Sequence, residues 1–307
     1  MQRFPIVLMT AVVGLAISVA PGLATGASGS SAAKEVACPS IRARVERDIP
    51  YVAEPISDLQ RLDLYVPDRQ EPCRLAPIVV WVHGGGWAKG DKRGTAGTKA
   101  ALFNDLGYVF VSVNYRLSDP VGDPSRPVHP AHADDVGAAV TWVESNAARY
   151  GGDGEQIALL GHSAGAHLVA LVGTDPTYVT RAGGKVGDIR CVGSYDTASY
   201  DLVQRSAETP LVANAFGSDD ATLRDASPLH HLDDRKHLPA FQVVVRGAPD
   251  RRAAETRFAD AAEAAGGTVS TLETIGLSHG DVNQLIGAPG DTRMTPAVSD
   301  FVTGCLG

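Results

Sequence analysis

The sequence contains few aromatic residues and no run of basic residues, and each absence argues against one kind of ligand. Aromatic side chains make up only 6% of the 307 residues, so no row of rings for stacking sugars is evident. The 27 lysines and arginines are outnumbered by 35 aspartates and glutamates, which gives a net charge of −8. A nucleic-acid partner is not expected, because surfaces that bind phosphates are basic.

Long apolar runs are also scarce, and the one that occurs lies near the amino terminus. Arg3 precedes an apolar stretch over residues 4–20, and small residues follow that stretch. This arrangement predicts a secretory signal peptide over residues 1–27, with a membrane anchor as the alternative. We expect export to the periplasm or the cell exterior, without stable membrane insertion of the mature protein. Residues 28–43 are expected to form a flexible leader.

Cysteine is rare, but export would give the four cysteines a clear interpretation. An even number of cysteines in an oxidising compartment predicts structural disulfides. The sequence allows three pairings, of which the simplest joins Cys38 to Cys73 and Cys191 to Cys305. No Cys-x-x-Cys or histidine-rich spacing occurs in the sequence, so no metal site is expected.

From residue 44 to residue 307 the spacing of apolar residues alternates between that of strands and that of helices. Short apolar runs predict strands at 62–66, 77–82, 107–113, 157–160, 241–245 and 268–274. Helical spacing occurs at 131–149, after residue 163, and at 253–265. Apolar strands that alternate with helices predict one α/β domain, with a mostly parallel sheet covered on both faces. The polar segment 196–225 is expected to form a small lid.

The most informative motif is Gly161-His162-Ser163-Ala164-Gly165, which lies between an apolar strand and a helix. Gly-x-Ser-x-Gly in this context predicts a nucleophile elbow, which exposes the serine at the carboxyl edge of the sheet. Small residues at both ends of the motif let the strand and the helix pack closely. Ser163 is therefore the predicted nucleophile, although the five-residue pattern alone also arises by chance.

A second glycine-rich motif occupies residues 83–86, directly after another buried strand. Acyl transfer requires backbone N–H groups that point at the developing oxyanion, and glycines allow that close approach. The expected donors are Gly85, Gly86 and Ala164, and His83 is expected to brace the loop. A plain glycine-rich turn is the alternative interpretation.

A serine nucleophile needs a general base and an acid that orients it. In sheets of this kind the three residues follow in the order serine, acid, histidine. His279 lies after the last predicted strand, at the edge where catalytic groups gather, and it is the predicted base. Asp250 follows the preceding strand and is the predicted acid, with Asp281 in reserve. Asp250 could instead be a solvated turn residue, because Arg251 and Arg252 follow it.

Several short segments occur together in a familiar order. They are His-Gly-Gly-Gly-Trp (83–87), Val-Asn-Tyr-Arg-Leu-Ser (113–118), Tyr-Gly-Gly-Asp (150–153), Gly-His-Ser-Ala-Gly-Ala-His-Leu (161–168) and Ala-Ser-Pro-Leu (226–229). Over roughly residues 44–303 the chain resembles the serine esterases and lipases of the α/β-hydrolase superfamily. It is most similar to their bacterial feruloyl-esterase-like and kynurenine-formamidase-like branch. The resemblance implies an α/β-hydrolase catalytic domain, the triad Ser163, Asp250 and His279, and no cofactor.

The sequence also departs from the hormone-sensitive-lipase pattern of that superfamily. His162 stands where those enzymes usually carry aspartate, and Gly165 is followed by Ala166 rather than by a second glycine. His162 and Trp87, which lie inside the two motifs, are candidate contacts to substrate.

The resemblance and the motifs together imply a secreted serine hydrolase that cleaves small-molecule carboxylic esters, of short acyl chain or small aryl type, through an acyl-enzyme. An amidase or arylformamidase with the same triad is one alternative. An acyltransferase and a catalytically silent binding module are the other two.

Overall fold

A computed structural model describes residues 41–69, 74–205, 209–232 and 238–307, which belong to one compact unit. The strands of these residues are β1 (Arg44–Pro50), β2 (Arg61–Val66), β3 (Ala76–Val82), β4 (Val109–Val113), β5 (Gly152–His162), β6 (Ile189–Tyr195), β7 (Ala240–Val245) and β8 (Val269–Glu273). They form one sheet in the order β1-β2-β4-β3-β5-β6-β7-β8. The pairings of β2 with β1 and with β4 are antiparallel, and the pairings from β4 to β8 are parallel.

Helices connect the strands and cover both faces of the sheet. They are α1 (Ala96–Asp105), α2 (Ala131–Asn146), α3 (Ala164–Thr174), α4 (Thr177–Arg181), α5 (Leu202–Arg205), α6 (Pro210–Phe216), α7 (Asp220–Asp225), α8 (Pro249–Ala264), α9 (His279–Gln284) and α10 (Met294–Leu306). In β3, Val80 and Val82 face one apolar core with α2, α3 and α8, whereas Trp81 faces a second core with α1 and α10. Burial of both faces explains why β3 is apolar at almost every position, and the predicted α/β fold is confirmed.

The predicted strands are present with adjusted ends, but two strands were missed. The runs at 107–113 and 268–274 each shorten to five residues, as β4 and β8, while the run at 157–160 lengthens to β5. Strand β1 is largely exposed and polar. Strand β6 is buried except at Arg190, but Arg190 and Gly193 interrupt its apolar run. An exposed arginine near the start of β6 and a glycine in its middle break the apolar pattern, so periodicity alone does not predict this central strand.

The expected disulfide joins Cys191 of β6 to Cys305 of α10, and the two Cα atoms are 6.3 Å apart. Cys38 and Cys73 lie outside the described residues, as do the expected signal peptide and most of the leader at 28–43. Among the helices of the described residues, none combines the length and the apolar character that a membrane span requires.

In the described part of the segment between β6 and β7 lie the short helices α5, α6 and α7, and α6 is tied to the loop that precedes α2. Asn214 of α6 donates from Nδ2 to the Ser118 carbonyl (2.8 Å) and accepts from the Gly122 amide (3.1 Å). The His129 amide donates to the Ala215 carbonyl (2.8 Å). These bonds hold α6 beside the carboxyl edge of the sheet, so part of the expected lid is a fixed wall of the cleft.

Candidate active site

Ser163 lies in a sharp turn between β5 and α3, at the carboxyl edge of the sheet. Its backbone adopts φ 57° and ψ −118°, a conformation that is rare for any residue except glycine. The Ser163 amide donates to the Tyr195 carbonyl at the end of β6 (3.0 Å), which anchors the turn to the neighbouring strand. The strained turn is the predicted nucleophile elbow, and it projects the side chain into the cleft.

The glycines on either side of Ser163 are required by close packing. A Cβ atom on Gly165 would lie 2.2 Å from the Val82 carbonyl oxygen, and one on Gly161 would lie 2.5 Å from the Gly165 carbonyl oxygen. Neither contact can be relieved by a rotamer change, because the atoms belong to the backbone. Only glycine at both positions lets α3 begin this close to β3 and β5.

His279 is the first residue of α9, and its ring reaches Ser163. Its Nε2 is 2.9 Å from the Ser163 Oγ atom. Ser278 caps the helix by accepting from the Asp281 amide, and Asp281 accepts from the Ser278 amide in return. His162 donates from Nε2 to the His279 carbonyl (2.9 Å), which fixes the start of α9 from the opposite side. Asp281 is thus engaged in the helix cap rather than with the imidazole.

The acid that contacts His279 is Asp196, and the prediction of Asp250 is wrong. Asp196 follows β6 directly, and its Oδ2 atom lies 2.6 Å from His279 Nδ1. Asp250 lies in the first turn of α8, is exposed, and makes no hydrogen bond to His279. The chain passes from β7 into α8 at Pro249, so the carboxylate of Asp250 is carried on a helix instead of a loop at the cleft.

The signal that would have found Asp196 is the strand before it. Parallel strands end at one edge of the sheet, where ligands and catalytic groups collect. Strand β6 pairs with β5, which carries the serine, so a carboxylate at the end of β6 must lie near Ser163. Because Arg190 and Gly193 interrupt the apolar run of β6, spacing alone does not predict this strand, and the expected lid begins at residue 196.

Asp196 is held ionised in a buried position. Burial works to raise the pKa of Asp196, but the hydrogen bond to His279 and the charges of Arg251 and Arg246 outweigh it and lower the pKa to about 2. The backbone of Asp196 adopts φ 63°, in the left-handed region. An ionised carboxylate at this position accepts the Nδ1 proton of His279, which leaves Nε2 free to accept a proton from Ser163.

Three residues, whose backbone amides are unpaired in the described part of the chain, line the cleft around Ser163. The amides of Gly85, Gly86 and Ala164 have no hydrogen-bond partner among the described residues. Ala164 also begins α3, whose amino terminus carries a partial positive charge. Gly85 and Gly86 have φ values of 120° and 60°, and the Gly85 carbonyl accepts from the Lys89 amide (3.1 Å), which closes the loop.

His83 braces this loop, as expected. Its Nδ1 donates to the Gly84 carbonyl (2.7 Å), and its own carbonyl accepts from the Tyr115 hydroxyl (3.1 Å). The imidazole also stacks on the Tyr115 ring with 4.5 Å between the ring centres. The loop that carries the amide donors is therefore fixed before any substrate binds.

Trp87 and His162, the two residues predicted to contact substrate, mainly pack against other side chains of the site. The Trp87 indole is buried between His167 and Phe216, and its Nε1 donates to His167 Nδ1 (3.3 Å). His162 lines the cleft under the ring of His279, with 4.5 Å between the ring centres. Burial, and to a lesser degree the nearby His279, lower the pKa of His162 to about 3, so it is neutral at physiological pH.

The cleft around Ser163 has two chambers of unequal size. The larger encloses about 650 Å³ and extends towards Asp119 and Asn283. The smaller encloses about 190 Å³ and extends towards Thr197 and Ser199. Both chambers are lined by Gly86, Ser163, Leu211 and His279. Leu211 of α6 lines both chambers and packs against Gly86, where an added Cβ atom would lie 2.8 Å from Leu211 Cδ1.

A metal-like grouping is present, but its donor atoms are already used. His162, Asp196 and His279 place ligand atoms within 4.8 Å of one another. Both ring nitrogens of His279 and the Oδ2 atom of Asp196 take part in the hydrogen bonds described above. The arrangement is complete for nucleophilic acyl transfer by side chains and backbone amides.

Comparisons with known proteins agree with this geometry. The BD-FAE family model matches residues 62–253, more than half of the chain. Esterase LipQ of Mycobacterium tuberculosis is 30% identical over 272 residues, which cover 83% of this chain and 61% of that protein. The probable carboxylic ester hydrolase LipM of the same organism is 32% identical over 197 residues, covering 60% of this chain and 43% of that protein. The chain thus spans less than two thirds of either relative.

A solved structure has the same fold. Esterase B from Lactobacillus rhamnosis superposes with a TM-score of 0.69 at 19% identity, over 86% of this chain and 87% of that chain. The expected resemblance to α/β-hydrolase esterases is confirmed.

Proposed function

This chain belongs to the BD-FAE family of α/β-hydrolase esterases, and we propose that it is a serine carboxylesterase that forms an acyl-enzyme. The observation that carries the proposal is the unbroken line of hydrogen bonds from Asp196 through His279 to Ser163. This line lies beside amides that have no other partner in the described part of the chain.

In the first half-reaction the chain's own groups form and stabilise a tetrahedral intermediate. His279 Nε2 takes the proton of Ser163 as its Oγ attacks the carbonyl carbon of the ester. The amides of Gly85, Gly86 and Ala164 donate to the oxyanion, and each such donor is worth about 10²–10³-fold in rate. The imidazolium of His279 then gives its proton to the leaving alcohol, and the acyl group remains on Ser163.

In the second half-reaction water replaces the alcohol. His279 accepts a proton from water, the hydroxide attacks the acyl carbonyl, and Ser163 leaves with the proton that His279 returns. Asp196 stays ionised throughout, holds the Nδ1 proton and stabilises the transient imidazolium. The hydrogen bond from the His162 imidazole to the His279 carbonyl keeps the His279 ring in reach of Ser163 during both steps.

The unequal chambers support a preference for esters of small acyl groups. A cavity of about 150 Å³ accommodates a molecule the size of benzene, so a chamber of about 190 Å³ accommodates a short acyl chain. The chamber of about 650 Å³ is open to a larger alcohol. The proposed substrate is therefore an ester of a short acid with a larger, aryl or alkyl, alcohol.

We also propose that the protein is exported. The apolar run at residues 4–20 supports a signal peptide, and the disulfide between Cys191 and Cys305 is of the kind that persists in oxidising compartments. Sequencing the amino terminus of protein recovered from culture medium or periplasm should find a start close to residue 28. An intact Met1 on membrane-bound protein would contradict export by cleavage.

The decisive experiment compares the mature protein with its Ser163→Ala variant on p-nitrophenyl esters from acetate to decanoate. The expected result is a kcat/KM that is highest for acetate to butyrate and lower by at least about 10³-fold in the variant. A second series of acetate esters with alcohols of increasing size should show little loss, because the alcohol faces the larger chamber.

Two results would overturn the proposal. One is hydrolysis that survives the loss of the Ser163 hydroxyl. The other is a folded wild-type protein that neither cleaves any ester nor reacts with an alkylphosphonate, since such a probe labels an activated serine. A broad acyl preference combined with a narrow alcohol preference would reverse the assignment of the two chambers.

A further inference from the structure

Two arginines contact the carboxylate that orients His279. Arg246 donates from Nε to Asp196 Oδ2 (2.7 Å), the same oxygen that accepts from His279. Arg251 donates from Nε to the other oxygen, Oδ1 (2.9 Å), and its Nη2 donates both to Oδ1 and to the Asp196 carbonyl (2.7 Å). Asp196 is fully buried, and its carboxylate accepts hydrogen bonds from one imidazole and two guanidinium groups.

The two arginines are themselves held in place from both sides. The Arg246 amide donates to Glu255 Oε2 (2.7 Å), and Arg251 Nε lies 3.2 Å from Glu255 Oε1. Arg246 Nη1 also donates to the carbonyl of Leu277 (3.1 Å), two residues before His279. This network connects the end of β6, the end of β7, the start of α8 and the approach to α9. It therefore joins the segment of the acid to the segment of the base.

We propose that Arg246 and Arg251 are positioning residues of the hydrolysis: they fix the Asp196 carboxylate against His279 and so keep this base aligned with Ser163. The proposal rests on the serine-hydrolase function proposed above. The fixed forks of two guanidinium groups orient both oxygens of Asp196, which a lysine ammonium cannot do.

The test measures kcat and KM for p-nitrophenyl acetate, with active sites counted by phosphonate labelling. The variants are Arg246→Met and Arg251→Met, with Arg251→Lys to keep the charge without the fork. Arg252→Met is the matched control, because Arg252 lies on the same helix but pairs with Glu273 at the surface. In the Met variants we expect kcat to fall by about 10–100-fold. KM should change little, because the defect lies in the orientation of the base and not in the binding of the ester.

The remaining variants separate charge from geometry. Arg251→Lys should also lose kcat, because it keeps the charge but not the fork, and the control should keep the wild-type kcat. The proposal is overturned if both Met variants retain the wild-type kcat, or if Arg252→Met loses as much. If the Met variants do not fold, Arg251→Lys and Arg246→Lys decide, and wild-type kcat in both would overturn the positioning role. Wild-type protein that fails to react with the phosphonate would instead refute the serine-hydrolase function itself.

Discussion

At the scale of single residues, Asp196 and Asp250 allow a direct comparison of two carboxylates. Asp196 is buried and bonded to His279, whereas Asp250 is exposed at the start of α8. Asp196→Asn should lower kcat by about 10⁴-fold, because the amide stabilises the wrong tautomer of the imidazole. Asp250→Asn should remain close to the wild type. Steady-state kinetics on one ester measure both, and the reverse ranking would restore Asp250 as the acid.

The residues of the site differ in how far the sequence could predict them. Ser163 stands in a motif whose close packing requires glycine at positions 161 and 165, so a local pattern is sufficient. His279 could be placed because it follows the last strand and few histidines share that position. Asp196 depends on the pairing of β6 with β5, a long-range contact that no local spacing near residue 196 reveals.

At the scale of elements, α6 controls the shape of the cleft through Leu211. Leu211→Ala should join the two chambers and raise the ratio of octanoate to acetate hydrolysis by about tenfold. The control is Leu106→Ala at the end of α1, since Leu106 has a similar exposure (42% against 41%) and lines neither chamber. An unchanged chain-length profile in Leu211→Ala would show that the two chambers do not communicate past this side chain.

The junction between β5 and α3 leads to a prediction about stability. Gly165→Ala would force a Cβ atom into the Val82 carbonyl, so it should lower the free energy of unfolding by more than about 3 kcal/mol or prevent folding. Gly97→Ala is the matched control, because Gly97 lies in α1 with nothing within 4 Å of an added Cβ. It should stabilise the protein by about 0.5–1 kcal/mol. Urea unfolding of the two variants checks both values, and equal stabilities would contradict the argument from close approach.

At the scale of the whole molecule, buried histidines predict how stability depends on pH. Burial lowers the pKa of His132 and His162 to about 3 and that of His167 to about 4, whereas in the unfolded chain each titrates near 6.5. The stability they contribute is complete above pH 6.5 and is lost as the pH falls towards these folded values. Burial raises the pKa of Glu144 and Glu255 to about 7, which works in the opposite sense between pH 7 and 4.5.

The histidines outnumber the glutamates, and burial also lowers the pKa of His83 and of His129. For each proton that the unfolded chain binds in excess of the folded one, the free energy of unfolding should therefore fall by about 1.4 kcal/mol per pH unit as the pH drops from 6.5 to 5. Urea unfolding at pH 7, 6 and 5 measures the slope. His132→Leu should reduce it, and a stability that rises towards pH 5 would contradict the prediction.

The sequence predicts the overall fold better than it predicts the strand at the edge of the sheet. Strands buried on both faces, such as β3, have continuous apolar runs that periodicity detects. Strand β1 lies at the edge of the sheet and is mostly exposed, so its sequence carries no such signal. The antiparallel pairing of β2 and the position of β6 depend on contacts between distant segments, which composition and spacing do not encode.

The disulfide between Cys191 and Cys305 closes a covalent loop that contains Asp196 and His279, whereas Ser163 lies outside it. A protease that cuts the exposed part of α6 near Leu211 would leave both pieces linked through sulfur. The nicked protein would run as a single species in a non-reducing gel and as two fragments after reduction. Limited proteolysis would therefore leave the parts of the triad joined, and separating them would require a reductant.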